Sequence, residues 1–264
     1  MKAVFVISSL NNYISVNGNK VATNMDNSNE FVTNLKKHAS KVKKICFIAS
    51  NPNGHQKSKL YSDIIKESFV IDGFETSESV IIDYEFKGNI KEEILSSDLV
   101  FLLGGHVPSQ NAFIKEISLK EILDDYKGVV VGQSAGGMNM SRVVYIQPEC
   151  EEEMLDKNFK KIDSGLALSD YVVMPHMNRA HTDELLGVTA YEMCLKDSEF
   201  IPHIGLIDSG YILLDENGSN LYGESYLFDK NKCEKIIDNG ECISLEKYAH
   251  LFKNKDFKMG IKRV

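Results

Sequence analysis

Residues 128–141 read Gly-Val-Val-Val-Gly-Gln-Ser-Ala-Gly-Gly-Met-Asn-Met-Ser. An apolar run, Val129 to Val131, stops at Gly132, and a serine follows with small residues close on both sides. Glycine ends strands in many proteins and serine is common in turns, so a plain strand-and-turn reading is open. The same residues, Gly132-Gln133-Ser134-Ala135-Gly136, also fit G-x-S-x-G, in which small neighbours permit a sharp strand-to-helix turn that presents a serine Oγ. The rest of the chain has to decide between the two.

Upstream of this stretch the chain alternates. Val42-Lys-Lys-Ile-Cys-Phe-Ile-Ala-Ser50 is rich in β-formers, and residues 55–69 carry apolar side chains at helical spacing. The pattern continues through 78–84, 90–95, 98–105 and 110–123 before reaching Val129. Strands separated by helical segments predict βαβ units, hence an α/β fold with a mostly parallel sheet and helices on both faces. Ligands of such sheets bind beyond the carboxyl ends of the strands, which singles out Gly104-Gly105-His106 and the 132–136 turn. Beyond the turn, 171–178 reads as a strand ending at Pro175-His176, 183–195 as an amphipathic helix, and 201–228 as strands with a hairpin turn at Asn217-Gly218. The acidic stretch 149–153 reads as a solvated surface segment. No linker or internal repeat interrupts the sequence, so one domain over 1–264 is expected.

Composition narrows the function. The 264 residues carry a formal charge of -8 with dispersed lysines, which argues against nucleic acid as a partner. No stretch approaches the roughly 18 apolar residues of a membrane helix, and the short apolar run at the N-terminus reads as a first strand, so no membrane association is expected. Five cysteines form no C-x-x-C pair and fit a reducing cytoplasm.

A serine needs a base, and the base needs a carboxylate to orient it. Of the seven histidines, His38 and His55 fall in lysine-rich surface segments, His203 lies inside a strand-like run, and His181 lies at a helix start. His176 follows Pro175 at a strand end, from which a side chain can reach a site above a sheet. Asp208 closes the apolar run Ile204-Gly-Leu-Ile207 in the same way, although turn-forming aspartate is its plain reading. His176, His181 and Asp183 do not have the four-residue spacing of a helical metal pair, so no metal is expected.

Together, Gly132-Gln133-Ser134-Ala135-Gly136-Gly137, the upstream Phe101-Leu-Leu-Gly-Gly105, Pro175-His176 and Gly205-Leu-Ile-Asp208 resemble the peptidase E-like serine peptidases, the family of aspartyl dipeptidase and cyanophycinase. The resemblance spans about residues 43 to 215. It implies a three-layer αβα sandwich similar to class I glutamine amidotransferases, with serine in place of their elbow cysteine. It further implies Ser134 as nucleophile, His176 as general base, Asp208 as orienting acid, and the N–H groups of Gly105 and Ala135 as oxyanion hole. The implied activity is hydrolysis of short peptides without cofactor, with dipeptides bearing N-terminal aspartate or related acidic or isopeptide substrates in view. His106, Arg179 and His181 are then the candidate substrate contacts, and a homodimer is compatible with the chain. The sequence departs from aspartyl dipeptidase at Gly105-His106-Val107, where that enzyme has a longer glycine run and an asparagine, and at the acid, a glutamate there. A family aspartate after the elbow has Glu149 as its nearest counterpart, which leaves the acid open between Asp208 and Glu149. Two other readings stand beside this one. An α/β-hydrolase esterase would use the order Ser, acid, His, with His250 as base, and a binding protein of the same fold would have no activity.

Overall fold

The computed structural model describes residues 1–253. Its largest sheet has eight strands, in spatial order Cys242–Ser244, Gly218–Tyr222, Tyr211–Asp215, Ala3–Ile7, Val129–Gln133, Leu99–Leu102, Lys44–Ile48 and Glu78–Ile82. The last five run parallel, with Ala3 opposite Val129 and Leu99 opposite Val129 on the other side. The remaining three add beside the Ala3 strand, each antiparallel to its neighbour. The hairpin joining Tyr211–Asp215 to Gly218–Tyr222 pairs Asp215 with Gly218, so Glu216 and Asn217 form its loop, one position earlier than expected.

Side chains of the first strand alternate between two cores, as the twofold period of a strand dictates. Ala3, Phe5 and Ile7 pack with Phe31, Leu35, Ile65 and Phe69 from the helices Phe31–His38 and His55–Ile71. Val4 and Val6 join Phe113, Ile114, Leu119 and Leu123 from Val107–Glu116 and Leu119–Asp125 on the opposite face. A sheet buried on both faces is a three-layer α/β sandwich, and its parallel strands read as continuous apolar runs for that reason.

A second sheet was not foreseen. Its order is Val173–Met174, His203–Leu206, Ser225–Asp229 and Lys232–Ile237, and its first two strands are parallel, with Val173 opposite Ile204. That pairing carries two chain segments side by side toward the carboxyl edge of the main sheet, one leading to His176 and the other to Asp208.

The expected helix over 183–195 is half right. Glu184–Leu185 and Val188–Thr189 form a small hairpin, turned by Leu186 and Gly187 with φ of 51° and 80°. The helix begins only at Ala190, where Thr189 and Glu192 form a capping box. His181 therefore lies before a hairpin and not at a helix start. A further hairpin, Tyr13–Val16 with Asn19–Ala22, stands at the surface with Ile14 and Val21 exposed. The acidic stretch is partly solvated as expected, but its residues 151–155 form a short helix from which Glu153 turns inward. Among the described residues no helix is long and apolar enough to cross a membrane. Residues 254–264, the end of the expected single-domain span, lie outside the described residues.

Candidate active site

Ser134 sits between the Val129–Gln133 strand and the helix Ala135–Asn139 with φ 51° and ψ −117°. An L-residue held there stores on the order of 1–3 kcal/mol of backbone strain, which only dense surroundings can maintain. The flanking glycines provide those surroundings. A Cβ on Gly136 would lie 2.3 Å from the Leu102 carbonyl oxygen, and one on Gly132 would lie 2.7 Å from the Gly136 carbonyl. Helix and strand thus approach too closely for any side chain, and the serine at their junction is forced outward. Its own N–H donates to the Ile7 carbonyl at 2.9 Å, and its carbonyl accepts from Met138 at 2.9 Å.

The structure brings His176 and Asp208 to this serine. His176 Nε2 lies 2.9 Å from Ser134 Oγ, and its Nδ1 lies 2.6 Å from Asp208 Oδ1. His176 itself adopts a left-handed conformation, φ 61° and ψ 33°, and its backbone N–H donates to Ser8 Oγ at 2.9 Å. The Ser8 hydroxyl donates in turn to Asp208 Oδ1 at 3.1 Å, and Asn178 Nδ2 donates to Asp208 Oδ2 at 3.0 Å. Desolvation pushes the Asp208 carboxyl up, but the hydrogen bonds and charge of His176, with Asn178 and Ser8, outweigh it and hold the group below the usual aspartate range. Ser8 and Asn178 had not been singled out in the sequence. Ser8 is 200 residues from Asp208 and nothing local marks it, whereas Asn178, two positions after His176, was within reach of a closer reading.

Gly104 and Gly105 lie beside the serine. A Cβ on Gly104 would come 3.3 Å from Ser134 Cβ, and one on Gly105, whose φ is 151°, would come 2.2 Å from Ser50 Oγ. Both glycines line the cleft over Ser134. Ala135 opens a helix, so its N–H has no intrahelical acceptor.

The cleft has a volume of about 840 Å³ and also takes in Gln133, Glu149, Arg179 and Lys57. His106 borders it with both ring nitrogens engaged, Nδ1 with Ser109 and Nε2 with Glu153, each at 2.7 Å, and it caps the Val107–Glu116 helix. Arg179 is in the lining, with its Nε 3.8 Å from Asp183. His181 is not among the lining residues; it stacks on Tyr191 at 4.1 Å. Glu149 is in the lining but has no bond to His176 among the described residues, and the carboxylate that meets the imidazole is that of Asp208. The other histidines are elsewhere. His250 bonds the Lys247 carbonyl, and His203 is fully buried between Tyr145 and Phe228. His38 pairs with Asp215 and His55 with Asp83, so neither is simply solvated as expected.

Fold and cleft together define a class: a three-layer α/β protein whose cleft brings a serine, a histidine and an aspartate together, in that chain order, at the carboxyl edge of the parallel strands. The sequence model of Peptidase family S51 matches residues 16–221, most of the chain, and the protein belongs to that family of serine peptidases. A search among curated proteins finds no match. Among solved structures, the chain is similar to a peptidase from an acI-B1 Actinobacterium, with TM-score 0.65 and 15% identity over 92% of this chain and 97% of that one. It is also similar to a peptidase E-type protein from Listeria monocytogenes EGD-e, with TM-score 0.53 and 14% identity over 90% of this chain and 100% of that one. At such identities the likeness is one of fold.

Proposed function

We propose that the protein hydrolyses short peptides through an acyl-enzyme formed on Ser134, with His176 as general base and Asp208 as the acid that orients it. The observation that carries this reading is the pair of contacts at 2.9 Å and 2.6 Å that links the strained serine through His176 to Asp208. In the first step Ser134 Oγ bonds to the substrate carbonyl carbon while its proton passes to His176 Nε2. Asp208, ionised and accepting from Nδ1–H, stabilises the imidazolium. The negative charge on the carbonyl oxygen falls to the N–H groups of Gly105 and Ala135, whose lack of side-chain bulk and position in a helix's first turn suit them to that role. Collapse of the tetrahedral species returns the proton to the leaving amine, and water repeats the sequence to release the acid and free the serine. No metal or organic cofactor has a part in these steps.

The finer expectation is an acidic N-terminal residue read by Arg179. Its support is Arg179's place in the cleft; Asp183, 3.8 Å away, competes for the same guanidinium. Five cysteines that are all unbonded are compatible with the cytoplasm as its compartment. Purified protein tested on Asp-X, Glu-X, isoaspartyl and neutral dipeptides, with Ser134→Ala as control, decides both levels. Hydrolysis that survives Ser134→Ala removes the mechanism. If Arg179 reads acidic residues, Arg179→Ala raises KM for acidic peptides far more than for neutral ones, and equal effects remove that assignment.

A further inference from the structure

The acidic stretch after the elbow meets the glycine loop beside Ser134 through one side chain. Between the strands Val143–Tyr145 and Ile162–Ser164 the chain makes an excursion over residues 146–161, and its Gln147, Pro148 and Glu149 line the cleft. The short helix Glu151–Leu155 follows. Of its three consecutive glutamates, Glu151 and Glu152 are exposed, whereas Glu153 is partly buried. Glu153 Oε2 accepts the Glu149 backbone N–H at 2.8 Å, and Glu153 Oε1 lies 2.7 Å from His106 Nε2. The carboxylate is therefore held at two points, one on the wall of the cleft and the other on the residue that directly follows Gly105.

These contacts fix the tautomer of the imidazole. Its Nδ1 accepts the Ser109 N–H at 3.4 Å, and the Ser109 hydroxyl, 2.7 Å away, can donate to the same nitrogen. Nδ1 is thus the acceptor, Nε2 carries the proton, and it donates to the Glu153 carboxylate in a charge-assisted bond. On the other side of the glycines, the Leu103 N–H donates to the Ile48 carbonyl at 3.0 Å, and the Leu103 carbonyl accepts from Gln110 Nε2 at 2.9 Å. Gly104 and Gly105 therefore span two tied points, Leu103 and His106. The Gly105 N–H has no acceptor among the described residues. With φ of 151° and no side chain to hold it, Gly105 takes its orientation from what its neighbours are bonded to.

We infer that Glu153 is a positioning residue for the oxyanion loop: through His106 it fixes the Gly105 peptide beside Ser134, and so keeps its N–H available to the oxygen that gains charge in the reacting step. The inference rests on the serine-peptidase reading above and deepens it. It makes the His106 imidazole a peg for the loop in place of a substrate contact, and it gives the acidic stretch a part in the reaction although Glu153 touches no reacting atom. The loop is close enough for this to matter, since a Cβ on Gly104 would lie 3.3 Å from Ser134 Cβ. An oxyanion donor works only when held at hydrogen-bond distance in advance, and a displacement of about 1 Å removes much of its effect.

The experiment follows labelling of Ser134 in the full chain by an alkyl fluorophosphonate, which reports on the reacting step without depending on peptide preference. Ser134 Oγ bonds to phosphorus, fluoride leaves, the serine proton passes to His176, and the phosphoryl oxygen takes the oxyanion position. Saturation kinetics separate the maximal labelling rate from the concentration at half-saturation. Glu153→Ala lowers the maximal rate about 10- to 100-fold, with half-saturation unchanged, a smaller loss than the roughly 10²- to 10³-fold of an oxyanion donor removed outright. Glu153→Gln stays within about threefold of wild type, because its carboxamide oxygen still accepts from His106 while the exposed Glu149 can pair its N–H with water. His106→Asn keeps a helix cap but cannot reach Glu153, so it falls as far as Glu153→Ala, and the double variant falls no further. Unchanged circular dichroism and melting temperature confirm that each variant is folded. Glu153→Ala labelled at the wild-type rate overturns the inference, as do losses that multiply in the double variant. Glu153→Gln as slow as Glu153→Ala assigns the effect to the Glu149 contact, and a change in half-saturation alone assigns it to the binding wall; either result also overturns it. Failure of the underlying reading shows separately, as a wild type that is not labelled or labelling that survives Ser134→Ala.

Discussion

Replacing Asp208 by asparagine changes one atom and tests the proposed chain of proton transfer at its least conspicuous member. Asp208 Oδ1 accepts from His176 Nδ1 at 2.6 Å and from Ser8 at 3.1 Å, while Oδ2 accepts from Asn178 Nδ2 at 3.0 Å. An asparagine amide has one acceptor oxygen for these three donors. Its NH₂ cannot sit at the Oδ2 place without facing the Asn178 NH₂, which is itself held because Asn178 Oδ1 accepts the residue-208 backbone N–H at 3.3 Å. The NH₂ therefore takes the Oδ1 place, where the Ser8 hydroxyl can rotate to accept. His176 Nδ1 must then accept as well, which moves the imidazole proton to Nε2 and points it at Ser134. A base that already carries its proton on the reacting nitrogen does not activate the serine. The expected loss in kcat is about 10⁴-fold, or ~5.5 kcal/mol of transition-state stabilisation, with little change in KM. Steady-state kinetics on the best peptide of the panel measures it, with an unchanged melting temperature as the control for folding. A variant that keeps kcat within tenfold of wild type refutes the role assigned to Asp208.

Gly136→Ala places a Cβ 2.3 Å from the Leu102 carbonyl oxygen, a backbone clash expected to cost ~3 kcal/mol or more of stability; an unchanged thermal transition contradicts the packing account of the elbow. Burial lowers His203 to about 4, against the small opposing effect of the Ile201 carbonyl. Its unfolded form, titrating near 6.5, therefore binds more protons between roughly pH 6.5 and 4, and stability falls as pH falls through that window by up to ~3 kcal/mol. His203→Phe, which keeps a ring between Tyr145 and Phe228, flattens this part of the melting-temperature profile, and an unaltered slope assigns it to other groups. Chelator leaves the hydrolysis rate unchanged, because the serine supplies the nucleophile and backbone amides stabilise the oxyanion; loss of activity restored by zinc contradicts the mechanism.

The parallel half of the fold was legible because strands buried on both faces are continuous apolar runs, and helical periodicity separates them. The site was legible to the extent that its residues follow such runs directly: Ser134 after Val129–Gln133, His176 after Val173–Met174, Asp208 after His203–Leu206. The second sheet was hidden because its strands have the same apolar character as those of the first, and which sheet a strand joins is set by long-range pairing. The 183–195 segment misled because Leu185, Leu186, Val188 and Tyr191 fall at spacings a helix would also allow. The left-handed turn at Leu186-Gly187 and the Thr189 cap divide it instead. His106, a candidate substrate contact, lines the cleft and also caps the helix that the following Val107-Pro108 signals, a second role for the imidazole that its sequence position alone does not show.

The central claim is that Ser134 and His176 act as one unit in the reacting step. The most direct measurement is kcat for Ser134→Ala, His176→Ala, the double variant and His250→Ala on a single peptide, each shown to be folded by circular dichroism. The account predicts that both single variants fall by about 10⁴-fold or more, that the double variant is no worse than either, and that His250→Ala stays close to wild type. An inactive His250→Ala beside an active His176→Ala, or losses that multiply in the double variant, would contradict it.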